Sequence, residues 1–139
     1  MKRNILTAGV FCCLLAGGAQ AEVVVVAHAK SDIAAVDANV LKDLFLGKTS
    51  KVAGLEVRAV NLPDSSALKM EFDEKVVGKD AGKMKAYWSN RIFTGQGKPL
   101  DQVENEAAML EWLGNNKDGI GYMSAGAVNS KVKVLMTIP

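Results

Sequence analysis

Residues 55–72 read LEVRAVNLPDSSALKMEF. From Leu55 to Leu62 the apolar residues alternate around Val57, Ala59 and Leu62, the pattern of a strand. Pro63-Asp64-Ser65-Ser66 breaks that run as a turn and offers Asp64 or Ser65 as a helix cap. Beyond it Leu68, Phe72, Val76 and Val77 fall on one helical face, and Gly78 closes the helix. A strand that passes through a polar turn into an amphipathic helix is the repeating unit of an α/β layer fold.

The flanking sequence extends the same alternation. Glu22 to Ala29 reads EVVVVAHA, a short β-branched apolar run that fits a strand buried on both faces, as in a parallel sheet covered by helices. Asp37 is placed to cap a helix through Val40, Leu41, Leu44 and Phe45, which Gly47 stops. Asp80 starts a further helix carrying Met84, Tyr87, Trp88 and Ile92, with Thr94 to Pro99 as the following loop. A last helix is expected through Val103, Ala107, Leu110 and Leu113, then short strands at Ile120–Met123 and Val132–Ile138. Tyr87, Trp88 and Phe93 read as core aromatics, and Arg91 as a surface cation. The chain shows no internal repeat and no linker, so residues 22–139 read as one domain.

The first 21 residues differ in kind. Lys2 and Arg3 precede an apolar run from Ile5 to Leu15, and Ala16-Gly17-Gly18-Ala19-Gln20-Ala21 ends in Ala-x-Ala. That order predicts a secretory signal peptide over residues 1–21, cleaved after Ala21, with no membrane insertion of the remainder. Cys12 and Cys13 both lie inside it, so residues 22–139 contain no cysteine, disulfide or cysteine-ligated metal. Without Lys2 and Arg3 the 17 basic residues fall to 15, against 15 acidic. This balance argues against a nucleic-acid binder.

Catalytic signals are missing. The lone histidine, His28, ends the first predicted strand, where it either lines a site or is an ordinary strand-end residue. With no second imidazole and no cysteine, a metal site is not expected. No nucleophile elbow, phosphate-binding P-loop or dinucleotide fingerprint occurs, so the chain is not read as an enzyme and needs no cofactor.

The Asn61–Leu68 stretch is the strongest candidate for binding. The first N–H groups of a helix lack internal partners and sit at the positive end of its dipole, which suits an oxyanion. Ser65 and Ser66 add hydroxyls and Asn61 an amide, while plain capping of the helix accounts for the same residues without a ligand. Lys30 and Ser31 follow the first strand. If the strands run parallel, Ser31 and Ser66 converge on one sheet edge.

Four segments occur in order: LFLGK at residues 44–48, VNLPDSSALKMEF at 60–72, YWSNRIFTG at 87–95 and GIGY at 119–122. Together they resemble the small phosphate-type substrate-binding proteins of ABC transporters, in the type II periplasmic binding protein family. The resemblance implies a parallel or mixed sheet flanked by helices, amounting to little more than one lobe of a two-lobed protein. It implies a periplasmic solute-binding protein for phosphate or a similar oxyanion, partnered by ABC transporter membrane subunits. It places that family's Ser-Gly-Thr turn on Ser66, Ala67 and Leu68; with Ser31, Asn61 and Ser65 from the reading of the residues themselves, the expected ligand-binding set is Ser31, Asn61, Ser65, Ser66, Ala67 and Leu68. The alternative is a periplasmic accessory or sensor protein that uses the same scaffold to bind another protein, with little or no anion binding.

Overall fold

The computed structural model describes residues 22–139. The expected signal peptide, with Cys12 and Cys13, lies outside them. The elements in order are β1 (Val23–His28), α1 (Ala38–Phe45), β2 (Lys51–Val52), β3 (Leu55–Glu56), β4 (Arg58–Asn61) and α2 (Ala67–Phe72), then α3 (Ala81–Phe93), β5 (Asp101–Gln102), α4 (Glu106–Asn115), β6 (Gly119–Ser124) and β7 (Val132–Ile138). A π-helical turn, Asp73–Val77, continues α2, and Gly78 ends it in the left-handed conformation. No helix among the described residues is long and apolar enough to cross a membrane.

Five strands form one sheet in the order β5-β4-β6-β1-β7, while β2 and β3 make a separate hairpin. The sheet is mixed: β4 runs parallel to β5 and β6, but β1 runs antiparallel to both β6 and β7. The expectation of two-sided burial for β1 is met, since Val23 to Ala27 are 0–3% exposed. The expectation of parallel neighbours is not. Burial on two faces follows from helices on both sides, and strand direction leaves no trace in that periodicity.

Side chains alternate across β6, so its two faces meet different helices. Tyr122 points to α1 and α2, where it stacks on Phe72 with ring centres 3.9 Å apart and meets Phe45 edge-on at 5.7 Å. Gly119 and Gly121 face α4. A Cβ at Gly121 would lie 2.6 Å from Met109 Sδ, and one at Gly119 2.5 Å from Trp112 Cζ3. The two glycines therefore let α4 lie directly on the sheet.

Local signals place most helix starts. Asp37 Oδ1 accepts the Asn39 N–H at 2.7 Å, and Asp80 Oδ1 accepts that of Lys83 at 2.9 Å. Three expectations need correction. The Leu55–Leu62 strand is divided at Val57, whose N–H turns to Ser50 C=O. The last helix begins at Glu106, after the cap Asn105, so Val103 lies before it. Phe93 is 91% exposed and not core.

Candidate functional site

The strand-to-helix turn after β4 is built from its own polar groups. Ser66 N–H donates to Pro63 C=O at 2.9 Å, and Ser66 Oγ accepts the Lys69 N–H at 3.3 Å. Ser66 is therefore the cap of α2; neither Asp64 nor Ser65, the residues the sequence offered, takes that role. The cap consumes the Lys69 N–H but leaves those of Ala67 and Leu68 without an acceptor among the described residues.

Asn61, at the end of β4, is fixed from below. Tyr122 Oη donates to Asn61 Oδ1 at 2.5 Å and accepts the Leu62 N–H at 3.3 Å. Burial pushes the Tyr122 hydroxyl pKa well above its ordinary value, so it remains a neutral donor. Leu62 is buried in the core beneath the turn and does not fill it.

Behind the turn stands an ion pair that the sequence reading missed. Lys69 Nζ lies 2.6 Å from Asp73 Oδ2 and 3.3 Å from Asp64 Oδ1. The Lys69 and Asp73 side chains are 9% and 3% exposed, whereas that of Asp64 is 89% exposed. Burial raises the Asp73 pKa, and the hydrogen bond and charge of Lys69 oppose that shift. The i,i+4 spacing of Lys69 and Asp73 beside the core residue Phe72 is the signal that marks such a pair.

A cavity of about 260 Å³ opens between this turn and α3. Asn61, Asp64 and Lys69 line one side; Lys85 and Ser89 of α3 and Gln102 of β5 line the other. Met84, Trp88, Ile92, Pro99 and Leu100 complete a mixed lining. The ammonium group of Lys69 is already paired with Asp73 and Asp64, and that of Lys85 has no such partner among the described residues. Ser65, Ser66, Ala67 and Leu68 lie beside this cavity and are not among its lining residues.

Ser31 lies elsewhere. Because β1 is antiparallel to β6 while β4 is parallel to it, the ends of β1 and β4 emerge at opposite edges of the sheet. Ser31 Oγ accepts the Ile33 N–H at 3.1 Å, and the residue lines a different cavity with Lys117 and Asp118. The convergence of Ser31 with Ser66 does not occur. His28 behaves as a strand-end residue, its Nδ1 accepting the Lys30 N–H at 2.9 Å. No group of three potential metal ligands assembles among the described residues.

Arg91 is likewise no simple surface cation. Its Nη2 donates to Gly47 C=O and Gln96 C=O, both at 3.1 Å, and its guanidinium lies over the rings of Tyr87 and Trp88.

The architecture is that of a periplasmic-binding-protein-like α/β lobe, with a recess of mixed lining between a strand-to-helix turn and α3. Solved structures share it. An ABC-type phosphate transport receptor from Vibrio cholerae matches with a TM-score of 0.65 at 14% identity, over 83% of this chain and 45% of its own. A Clostridium perfringens protein proposed to be a phosphate ABC transporter substrate-binding protein, with phosphate bound, matches with a TM-score of 0.65 at 17% identity, over 82% of this chain and 44% of its own. PstS from Borrelia burgdorferi matches with a TM-score of 0.61 at 12% identity, over 82% of this chain and 46% of its own. The likeness is one of fold, and this chain spans less than half the length of each. No protein-family model and no curated protein matches it.

Proposed function

We propose that this chain is an exported solute-binding protein for phosphate or a similar oxyanion, received at the β4–α2 turn and delivered to an ABC transporter. The observation that carries the reading is the shared fold with phosphate-transport receptors. The local geometry supports it. The N–H groups of Ala67 and Leu68 and the hydroxyl of Ser65, all without a partner among the described residues, are donors suited to an oxyanion. Asn61 and Ser66 shape the turn, and Lys85 supplies charge from across the recess. The exposed Asp64 carboxylate accepts a hydrogen bond from a protonated oxygen of the anion. Ser31, on the opposite sheet edge, stands apart from this set.

Substitution of Ala67 by proline separates binding from capping. Ala67 is the first helical residue, where proline fits the backbone and removes only an N–H that has no internal partner. Ser66, at φ −73° and ψ 124°, already has the extended conformation that a following proline requires. Calorimetric titration of phosphate into residues 22–139 should show saturable binding, weakened about tenfold or more in Ala67→Pro with the fold retained. Absence of heat at millimolar phosphate from folded protein would refute the reading. Export is tested separately by the mass of the secreted protein, expected to begin at Glu22.

The second reading, an accessory protein that binds another protein, rests on Phe93 and Ile92, which are 91% and 49% exposed at the end of α3. Ile92 also lines the recess. A phosphate-silent protein whose partner binding is lost in Phe93→Ser would favour it.

A further inference from the structure

A second cavity lies on the other side of Trp88. It measures about 380 Å³ and opens between the turn at Gly47–Ser50 and the loop at Gln96–Lys98. Lys48, Arg91 and Lys98 line it, and no carboxylate does. None of these three cations forms an ion pair among the described residues. Glu56 reaches the Ser50 hydroxyl at 3.0 Å, but its other oxygen faces Lys51 at 3.7 Å. The lining thus carries three uncompensated positive charges on three separate elements.

The walls are held before any ligand arrives. One Arg91 nitrogen donates to both loops, tying Gly47 C=O to Gln96 C=O. Its Nε is buried and has no partner. Gly47 has φ +70°, and a Cβ there would lie 2.8 Å from Trp88 Cη2, so only glycine lets this turn rest on the indole. Fixing the loops in advance lowers the entropy cost of binding between them.

We propose that this cavity is a second anion site, distinct from the β4–α2 turn, which takes a small multivalent oxyanion of the polyphosphate class. Three cations on separate elements match a ligand that spreads several negative charges over its length better than a single compact anion. Trp88 and Leu100 line both cavities and form the wall between them. Two anionic groups can therefore be held back to back on one lobe.

The probe is tripolyphosphate, followed through the backbone amide signals of residues 22–139 by nuclear magnetic resonance. Saturable shifts are expected at Thr49, Ser50, Gln96 and Gly97, together with the Trp88 indole. Lys48→Gln combined with Lys98→Gln should weaken that binding by about tenfold or more for each lysine, with the melting midpoint unchanged, because both side chains are exposed. Unaltered affinity in the double variant, shifts confined to Ala67–Lys69, or uniform small shifts at every surface lysine would each overturn the proposal. A parallel titration with orthophosphate reads Ala67 and Leu68, so failure at one site is distinguishable from failure at the other.

Discussion

Replacing Lys69 with methionine removes one half of a desolvated ion pair and leaves the other half stranded. Asp73 is 2% exposed, and its only short charged contact among the described residues is Lys69 at 2.6 Å. Removing one partner of a buried pair costs about 3–5 kcal/mol. Asp64 cannot compensate, being of the same charge as Asp73. For a domain of this size the loss corresponds to a melting midpoint lower by on the order of 10–20 °C. The pH dependence gives a sharper signature. Burial raises the Asp73 pKa above its ordinary 3.8, so the folded chain holds that proton more tightly than the unfolded chain. The associated stability is fully present below that ordinary value and is lost as pH rises through the folded-state pKa. Lys69 opposes the raised pKa through its hydrogen bond and its charge. Without it the folded-state pKa climbs further, and the deficit of Lys69→Met against the wild type grows from acid to neutral pH. Urea unfolding at about pH 4 and about pH 7.5 measures both deficits. A deficit below about 1 kcal/mol at neutral pH, or the same deficit at both, would refute the argument. The double variant Lys69→Met with Asp73→Leu should recover most of the loss, since an apolar pair replaces a charged one.

Three further outcomes follow from particular contacts. Tyr122→Phe keeps the ring stacked on Phe72 but strips Asn61 Oδ1 and the Leu62 N–H of their shared partner; chemical denaturation should show a loss of about 1–3 kcal/mol. Gly121→Ala forces Met109 and Val60 away from β6 and should cost about 1–3 kcal/mol by the same assay, with α4 displaced from the sheet. Phe93→Ser should leave the unfolding midpoint within about 0.5 kcal/mol of wild type, because the ring is 91% exposed; a large loss would mean that it packs against the fold after all.

The sequence was most legible where a single residue type decides the outcome. Asp37 and Asp80 cap their helices as expected, and the terminal strand occupies Val132–Ile138. It was less legible where several residues compete. Asp64, Ser65 and Ser66 are all suited to capping, and only the depth of the turn selects Ser66. The Phe93 error is one of helical phase. Six residues beyond Tyr87 a helix has turned about 240° past a full turn, so the two rings cannot share a face. The direction of β1 was not legible, since valines buried on both faces look the same in either orientation; with it went the supposed meeting of Ser31 and Ser66. Lys69, Asp73 and Tyr122 were passed over because a lysine near an acid is usually a solvated pair, and a tyrosine beside glycines says nothing of what its hydroxyl will hold. The clamp made by Arg91 joins loops about 50 residues apart, a distance that no local pattern spans.

The placement of β1 has a consequence for the order in which the molecule can assemble. Its two neighbours in the sheet are β6 and β7, so Val23 lies opposite Ser124 on one side and Ile138 on the other. Both pairings close loops on the order of 100 residues, the costly kind of contact in a folding reaction. Until those late segments arrive, the tetravaline run has no native partner. It is a bare β-prone segment of the sort that pairs with other chains. A chain whose last segments have not yet emerged therefore cannot complete its sheet, and its β-prone start stays unpaired until β7 is free.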